Sequence, residues 1–194
     1  HSEVPFVAIT GTNGKTTTTT LAALLLGKEG RKVVAGGNIG LPLVSQCPQM
    51  TKDDVVVAEM SSFQLESVDA FRPKVACIMN LTPDHLDRHK TMEGYAAAKA
   101  NIFKNQGEGD YLLLNKDDAM VALMEKDAHA RVYFFSQKDI LKEGMWLEEG
   151  EVKYALNAAD EAQTLIRADE IGIVGAHNLQ NAMAASLAAL LMGQ

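Results

Sequence analysis

A glycine-rich loop near the start of the sequence lies between an apolar run and a leucine-rich segment. The loop covers residues 11–16 (GTNGKT), and the apolar run before it covers residues 6–9. The order strand, glycine loop, helix is typical of a phosphate-binding loop, because backbone N–H groups and the positive end of the helix then face the anion. Lys15 adds a full positive charge, and the Thr16 hydroxyl can hold Mg²⁺. The stretch therefore predicts a polyphosphate-binding site.

The loop is shorter than the usual phosphate-binding pattern. The sequence G-x-x-x-x-G-K-[ST] would require a glycine at the position of Ile9. A glycine-rich turn that binds nothing is the alternative for so short a pattern. The predicted strand and helix on either side favour phosphate binding, since they are the context in which such loops act.

The composition indicates a single α/β domain. Of the 194 residues, 47% are hydrophobic and only five are prolines, which is enough apolar material for one substantial core. The net charge is −7 and Lys and Arg form no run, so we expect local phosphate binding and no nucleic-acid partner. Cys47 and Cys77 have neither metal-site nor disulfide-framework spacing, which fits a reducing, cytoplasmic location. No apolar run is long enough to span a membrane, and we expect no membrane partner.

Short apolar runs bounded by turn residues predict a mostly parallel sheet flanked by helices. Strands are predicted at residues 6–9, 32–35, 54–60, 74–81, 110–115 and 131–136, and helices at 15–30, from 61, at 91–105 and after 175. A hairpin over 145–156, with a further strand at 164–166, predicts a small antiparallel sheet appended to the main one. The predicted fold is a P-loop-type α/β domain.

Polar groups follow the third predicted strand. Glu59 lies at its carboxyl end, where open α/β sheets gather their ligands, so this carboxylate can hold Mg²⁺ beside the phosphate loop. A solvated glutamate at the end of a strand is the alternative. Ser61 and Ser62 open the next helix, and helix capping is the favoured interpretation for both.

The fourth predicted strand leads into a segment with two histidines and two aspartates. Imidazole and carboxylate groups are metal ligands, so Asp84, His85, Asp87 and His89 suit a metal or phosphate site. Their spacing resembles no zinc motif. An aspartate that caps a helix, with surface histidines beside it, is the alternative.

Lys99 falls on the apolar stripe of a predicted helix, together with Tyr95, Ile102 and Phe103. Its amine should therefore point inward. One interpretation is a lysine whose stem packs and whose head reaches water. The other is a partly buried amine with a pKa lowered near metal cations, which leaves the amine neutral and able to react.

Two further patterns allow both functional and structural interpretations. Residues 115–118 (NKDD) match the guanine-reading pattern of GTPases, although no D-x-x-G switch precedes them. Asn178 and Asn181 lie three residues apart at the start of the last helix, where their amides can meet both edges of a purine. For Asn178 alone, helix capping is the favoured interpretation.

Together, these stretches resemble the central, ATP-binding domain of the Mur ligase family, and we interpret residues 1–194 as that domain. The resemblance is carried, in family order, by residues 10–16 (TGTNGKT), 37–40 (GNIG), 59–66 (EMSSFQLE), 80–87 (NLTPDHLD), 95–99 (YAAAK) and 175–178 (GAHN), with Asn181. Within the family, 37–40 and 61–66 are most similar to the members that add D-glutamate to UDP-N-acetylmuramoyl-L-alanine.

The resemblance implies ATP-dependent amide formation through an acyl phosphate, with two Mg²⁺ ions. It implies that Lys15, His85 and Lys99 are catalytic, and that Lys99 is carbamylated by CO₂. The metal ligands would be Thr16, Glu59, His85 and the Lys99 carbamate. The ATP-binding residues would be Gly11, Thr12, Asn13, Gly14, Lys15, Thr16, Thr17, Asn178 and Asn181, and the substrate-binding residues would be Asn38 and Ser61.

The resemblance also implies two domains that this chain lacks, an N-terminal one for the UDP portion and a C-terminal one for the incoming amino acid. We therefore expect the chain alone to bind nucleotide without ligating, and to be a monomer. The alternatives are another Mur or folylpolyglutamate-type ligase, a GTPase-like switch that uses residues 115–118, and a non-catalytic nucleotide-binding module in which Lys99 is unmodified.

Overall fold

The computed structural model describes residues 4–27, 31–38, 50–172 and 175–193. Its strands are β1 (Phe6–Thr10), β2 (Val33–Gly37), β3 (Val55–Glu59), β4 (Val75–Ile78), β5 (Tyr111–Asn115), β6 (Arg131–Ser136), β7 (Gly144–Glu148), β8 (Glu151–Ala155) and β9 (Gln163–Arg167). Its α-helices are α1 (Lys15–Leu26), α2 (Ser62–Glu66), α3 (Leu86–His89), α4 (Met92–Ala100), α5 (Ala119–Ala122) and α6 (Ala176–Leu191). Short 3₁₀ helices cover Leu123–Asp127 and Ala168–Glu170.

The described strands form one continuous sheet in the order β2-β3-β1-β4-β5-β6-β7-β8-β9. Every neighbouring pair from β2 to β7 is parallel, and β8 and β9 are added antiparallel at one edge. The prediction of a mostly parallel sheet is confirmed. The antiparallel strands extend the main sheet instead of forming a separate one, because β7 pairs in parallel with β6.

Helices cover both faces of the parallel part, so its strands are apolar on both sides. On one face, Val7 and Ile9 of β1 pack in a cluster with residues of α1 and α6. On the other face, Ala8 packs with Leu65 of α2 and Tyr95 of α4. Because side chains alternate along a strand, this double cover fixes which residue of β1 faces which helix layer.

Strand register brings the predicted site together at one edge of the sheet. Ile9 of β1 lies opposite Glu59 of β3 on one side and Cys77 of β4 on the other. All three strands therefore end at the same level, where the chain leaves β1 for the glycine loop. Ligands of open parallel sheets bind beyond this carboxyl edge.

Some predicted boundaries differ from the structure. The fourth strand ends at Ile78, and residues 79–81 leave the sheet, whereas the sequence predicted strand to residue 81. Helix α4 ends at Ala100 and is followed by turns, earlier than the predicted residue 105. Residues 28–30, 39–49 and Gln194 lie outside the described residues. They include the predicted end of the first helix, at residue 30, and the second half of the 37–40 stretch. Among the described helices, none is long and apolar enough to cross a membrane.

Candidate active site

The glycine loop between β1 and α1 requires glycine at two positions. Gly14 caps α1 with φ of 83°, a left-handed conformation that suits glycine. Gly11 has φ of 152°, and a Cβ atom at this residue would lie 2.8 Å from the Cβ atom of Met79. The two glycines thus let the loop turn and approach the end of β4 closely. The first N–H groups of α1 face the space above the loop, as an anion site needs.

The ammonium group of Lys15 bends back over the loop. Its Nζ donates to the carbonyl oxygens of Gly11 and Thr12, at 3.0 and 2.8 Å. The charge is therefore held at the mouth of the loop. A phosphate at the N-terminus of α1 would meet this charge together with the helix dipole.

Thr16, Glu59 and Asn38 converge beside the loop. The Thr16 hydroxyl donates to Glu59 Oε2 at 2.7 Å, and Asn38 Nδ2 donates to Glu59 Oε1 at 3.3 Å. Glu59 is only 2% exposed, so the alternative of a solvated glutamate at the end of the strand is wrong. A cavity of about 270 Å³ lies here, lined by Thr12, Asn13, Gly14, Lys15, Thr16, Thr17, Asn38 and Glu59. Hydroxyl and carboxylate oxygens are the donor set that Mg²⁺ prefers.

A second, smaller cavity of about 140 Å³ adjoins the first. It shares Lys15 and Asn38 and is closed by Ser61, Ser62, Phe63, Asp84, His85, Tyr95 and Lys99. His85 has a left-handed backbone with φ of 52°, and its Nε2 lies 3.5 Å from Asp84 Oδ2. Within the described part of the chain, no three His, Cys, Asp or Glu side chains are grouped closely enough to hold a metal. Full metal coordination at His85 would therefore need ligands of another kind.

The other members of the 80–89 segment have different surroundings. His89 Nε2 lies 3.0 Å from Ser62 Oγ, and its Nδ1 lies 3.4 Å from Glu66 Oε1, so this ring joins α3 to α2. Asp87 is exposed. The N-cap of α3 is His85, so the alternative of an aspartate that caps this helix is wrong.

Lys99 is 1% exposed, and its amine lies inside the protein. Nζ donates to Gly11 O at 2.9 Å and to Thr10 Oγ1 at 3.3 Å, and it lies 4.6 Å from the ring centre of Tyr95. Burial, with a smaller contribution from the positive charge of Lys15, lowers the pKa of Lys99 to about 7. The interpretation of a head group that reaches water is therefore wrong. At neutral pH a large share of this amine carries no charge.

Ser61 caps α2, as its pattern predicts. Gln64 N donates to Ser61 Oγ at 3.3 Å, and Ser61 N donates to Gln64 Oε1 at 2.9 Å, which together form a capping box. The residue also lines the smaller cavity. The capping role is confirmed for Ser61 and is wrong for Ser62, which is the first residue of α2; a substrate role for Ser61 stays a prediction.

Asn178 and Asn181 lie in the first turns of α6, and Asn181 faces the glycine loop. The N-cap of α6 is Gly175, so the capping interpretation of Asn178 is wrong. Asn181 is 5% exposed, accepts from Thr18 Oγ1 at 3.3 Å and donates to Asn178 Oδ1 at 3.3 Å. A Cβ atom on Gly14 would lie 2.3 Å from Asn181 Oδ1. Asn181 therefore packs directly on the phosphate loop.

An open cavity of about 880 Å³ lies on the other side of the loop. Besides Asn13, it is lined by residues of three stretches that the sequence analysis singled out, 80–87, 115–118 and 175–178, and by residues outside any of its patterns, among them Gln137 and Gln180. Gln137 and Gln180 come from elements far apart in the chain, and no local pattern relates them. The 80–87 stretch was recognised in the sequence as a motif, but the sequence did not show that its residues contact the glycine loop.

The polar side chains of residues 115–118 make contacts within the protein that explain these residue types without a bound nucleotide. Lys116 Nζ lies 4.4 Å from the ring centre of Phe134, and Asp117 accepts from Ser136 Oγ at 2.5 Å. Asp118 caps α5 by accepting from the N–H groups of its first turn. These contacts argue against guanine reading.

The parallel sheet, the phosphate loop after its first strand and the acidic residue at the end of the neighbouring strand define a P-loop-type nucleotide-binding domain. Comparison with known proteins narrows this class. The Mur ligase middle domain matches residues 9–189, and the chain belongs to the Mur ligase family.

Individual relatives agree with this assignment. The chain is 52% identical, over 97% of its length, to the UDP-N-acetylmuramoylalanine--D-glutamate ligase of Pelotomaculum thermopropionicum, and it spans 41% of that protein. Among solved structures, a UDP-N-acetylmuramoyl-L-alanyl-D-glutamate--2,6-diaminopimelate ligase matches 98% of the chain with a TM-score of 0.79 at 25% identity, and 44% of that chain is covered. The MurF ligase of Thermotoga maritima in complex with ADP matches 98% of the chain and 46% of its own length, with a TM-score of 0.71 and 24% identity, and supports the fold.

Proposed function

We propose that this chain is the ATP-binding part of a ligase that joins D-glutamate to UDP-N-acetylmuramoyl-L-alanine. The observation that carries the proposal is the bond between Thr16 and the buried Glu59 at the mouth of the phosphate loop, whose residue Gly11 also accepts a hydrogen bond from the buried amine of Lys99. The 52% identity to a ligase named for this reaction supports the choice of amino acid. The complex of a structurally similar MurF ligase with ADP supports the choice of nucleotide.

The reaction has two steps. In the first, a carboxylate oxygen of UDP-N-acetylmuramoyl-L-alanine forms a bond to the γ-phosphorus of ATP, and the bond from that phosphorus to ADP breaks. In the second, the amine of D-glutamate forms a bond to the carbonyl carbon of the acyl phosphate, phosphate leaves and the amine loses a proton. Lys15 and the N–H groups of the loop would offset the charge on the transferred phosphoryl group.

The residues present fit one Mg²⁺ site, and carbamylation of Lys99 would supply the missing ligands of a second; both ions would neutralise phosphate charge. Thr16 and Glu59 would hold the first ion, and their oxygen atoms already meet at 2.7 Å. His85 and a carbamylated Lys99 would hold the second. A neutral Lys99 amine can add to CO₂, forming an N–C bond and releasing one proton. The product carries anionic oxygens that would add to the Asp84 carboxylate beside His85, where the described His, Cys, Asp and Glu side chains form no group of three.

The cavity of about 880 Å³ is the proposed binding place of the nucleotide base. It is lined by Asn13 and by Ala176, His177 and Gln180 of α6, so adenine would lie against the same first turns of the helix that carry Asn178 and Asn181. Asn38 and Ser61 line the smaller cavity together with Lys15, and they would meet the muramoyl substrate. The substrate carboxylate would then approach the γ-phosphate from the side of Lys99.

The chain spans only 41% of the related ligase, so ligation is proposed for a longer protein and nucleotide binding for this chain alone. We propose that the chain is monomeric and acts in the cytoplasm, where ATP is available. D-glutamate-dependent phosphate release by this chain alone would contradict this division of roles.

Calorimetric titration with Mg·ATP and Mg·GTP tests the nucleotide assignment. We expect ATP binding that is lost in Lys15→Ala, because that variant removes the only full charge on the phosphate loop. A preference for GTP would refute the proposal and favour the role of residues 115–118 in guanine reading.

The role of Lys99 is tested in the longer protein. There, Lys99→Ala should abolish ligation, with partial recovery on addition of short carboxylic acids. Full activity in that variant would remove the role of the carbamate.

A further inference from the structure

The residues that follow β4 lie directly against the phosphate loop. Asn80 makes three bonds to it: its carbonyl oxygen accepts from Thr12 N at 3.0 Å, its Oδ1 accepts from Asn13 N at 2.8 Å, and its Nδ2 donates to Asn13 O at 3.1 Å. The side-chain amide thus bonds to both the backbone N–H and the carbonyl of Asn13, in the way that the backbone of a neighbouring strand would. The Asn13 carbonyl is thereby bonded to Asn80, and the middle of the loop is held in one orientation.

Thr82 adds a second connection two residues further on. Thr82 N donates to Thr12 Oγ1 at 3.0 Å, and Thr12 Oγ1 donates to Thr82 O at 3.2 Å. Both of these bonds use the backbone of Thr82, so they depend on where this segment lies and not on the Thr82 side chain. The segment 80–82 and the loop residues 12–13 are therefore joined along their length.

The segment is itself held from behind by β5 and the start of α5. Asn115 Nδ2 donates to Met79 O at 2.8 Å, and Leu81 N donates to Asp118 Oδ2 at 2.7 Å. These bonds fix the peptides on either side of Asn80. Two polar residues of the 115–118 stretch, which had matched a guanine-reading pattern, thus support the residue that grips the loop.

We propose that Asn80 is a positioning residue that holds the phosphate loop in its anion-binding conformation, with Asn115 and Asp118 holding the peptides beside it. The inference rests on the proposed nucleotide-binding function. A glycine-containing loop has many conformations open to it, and those in which its N–H groups do not converge on a phosphate must be excluded before binding. Fixing the loop in advance lowers the entropy lost on binding and so strengthens affinity.

Asn80→Ala, with Asn105→Ala as the matched control, separates loop positioning from general stability. Asn105 also gives two hydrogen bonds to backbone carbonyls, those of Asp69 and Phe71 at 2.6 and 3.0 Å, but it lies in the turns after α4 and both bonds run to the segment before β4, not to the glycine loop. We expect both variants to lower the midpoint of urea unfolding. Only Asn80→Ala should weaken Mg·ATP binding, by about tenfold, as the loss of two neutral hydrogen bonds implies.

Magnesium tripolyphosphate is the second probe, because Asn80 also lines the cavity proposed for the base. If Asn80 acts through the loop, both ligands should lose affinity by the same factor. A loss for Mg·ATP alone would place Asn80 against the base and overturn the proposal. Equal affinities in Asn80→Ala and the unchanged chain, or equal losses in the two alanine variants, would overturn it as well.

Two controls, a serine variant and the unchanged chain, make the result interpretable. If Asn80→Ala does not unfold cooperatively, Asn80→Ser replaces it, since a hydroxyl can keep one of the two bonds, and its binding of tripolyphosphate should still weaken. Undiminished binding by the serine variant would refute the positioning role. Failure of the unchanged chain to bind Mg·ATP would refute the proposed function instead, and the two failures are therefore distinct.

Discussion

The buried amine of Lys99 makes stability depend on pH in a direction that the structure fixes. The lysine pKa is about 7 in the folded chain, against 10.5 for an unperturbed lysine. Between these values the unfolded chain binds more protons than the folded chain, so the free energy of unfolding rises with pH. The destabilisation by Lys99 is therefore full below pH 7 and is relieved as the pH rises toward 10.5.

Replacing Lys99 by Met removes the titrating group and keeps most of the side-chain volume. Each pKa unit corresponds to about 1.4 kcal/mol, so the burial of the charge costs about 5 kcal/mol at pH 6 and about 2 kcal/mol at pH 9. Both hydrogen-bond partners of the Lys99 amine keep another bond after the substitution, and Gly11 O still accepts from Lys15 Nζ. Thr10 Oγ1 still donates to Met60 O. We expect Lys99→Met to be the more stable protein at pH 6, with an advantage that shrinks by about 3 kcal/mol by pH 9.

Urea unfolding at pH 6, 7, 8 and 9, in buffer freed of CO₂, measures this difference. The exposed Lys126 provides the control, since Lys126→Met removes a lysine without removing a buried charge. A difference between Lys99→Met and the unchanged chain that does not vary with pH would refute the reasoning. Repetition in bicarbonate buffer should stabilise only the unchanged chain, because only its neutral amine can take up CO₂.

Three further predictions concern the loop and its surroundings. Thr16→Val keeps the shape of the side chain but removes the hydroxyl, and it should weaken Mg·ATP binding about tenfold by calorimetry; unchanged affinity would contradict a role in holding the metal. Gly14→Ala should destabilise the chain by about 2 kcal/mol more than Gly150→Ala in urea unfolding, because both glycines have φ near 80° but only the first Cβ would meet a neighbour. Burial raises the pKa of Cys77, so in a Cys47→Ser background a thiol reagent should label the chain only after unfolding, and labelling of the folded chain would contradict the burial.

Strands β1, β3, β4 and β5 were predictable because each is apolar on both faces, a pattern that a sheet covered on both sides permits. The pattern failed at the end of β4. Residues 79–81 continue the polar and apolar order of a strand, but Asn80 turns to the glycine loop and Leu81 N to Asp118. Both partners are distant in sequence, so no local rule could show that the strand ends at Ile78.

The candidate site was predictable where a residue type was out of place in its element. Lys99 on an apolar helical stripe predicted an inward-pointing side chain, with its amine either at water or partly buried, and the structure shows that the amine is buried. The same reasoning failed for Asn178, because an asparagine near a helix start resembles a cap wherever the helix begins. The helix begins at Ala176, and its N-cap is Gly175 with φ of 107°. Glycine is itself a common N-cap residue, so Asn178 lies inside the first turn instead of before it.

Two ionisable groups are buried on either side of the end of β1, and the fold accommodates them in opposite ways. Glu59 receives hydrogen bonds from Thr16 and Asn38, one on each carboxylate oxygen. Among the described residues, no carboxylate is bonded to the Lys99 amine, and its pKa falls instead. The proposed nucleotide would bring several phosphate charges, and further carboxylates beside the glycine loop would repel them. A buried amine that is partly neutral near pH 7 avoids both the repulsion from Lys15 and the need for such a carboxylate.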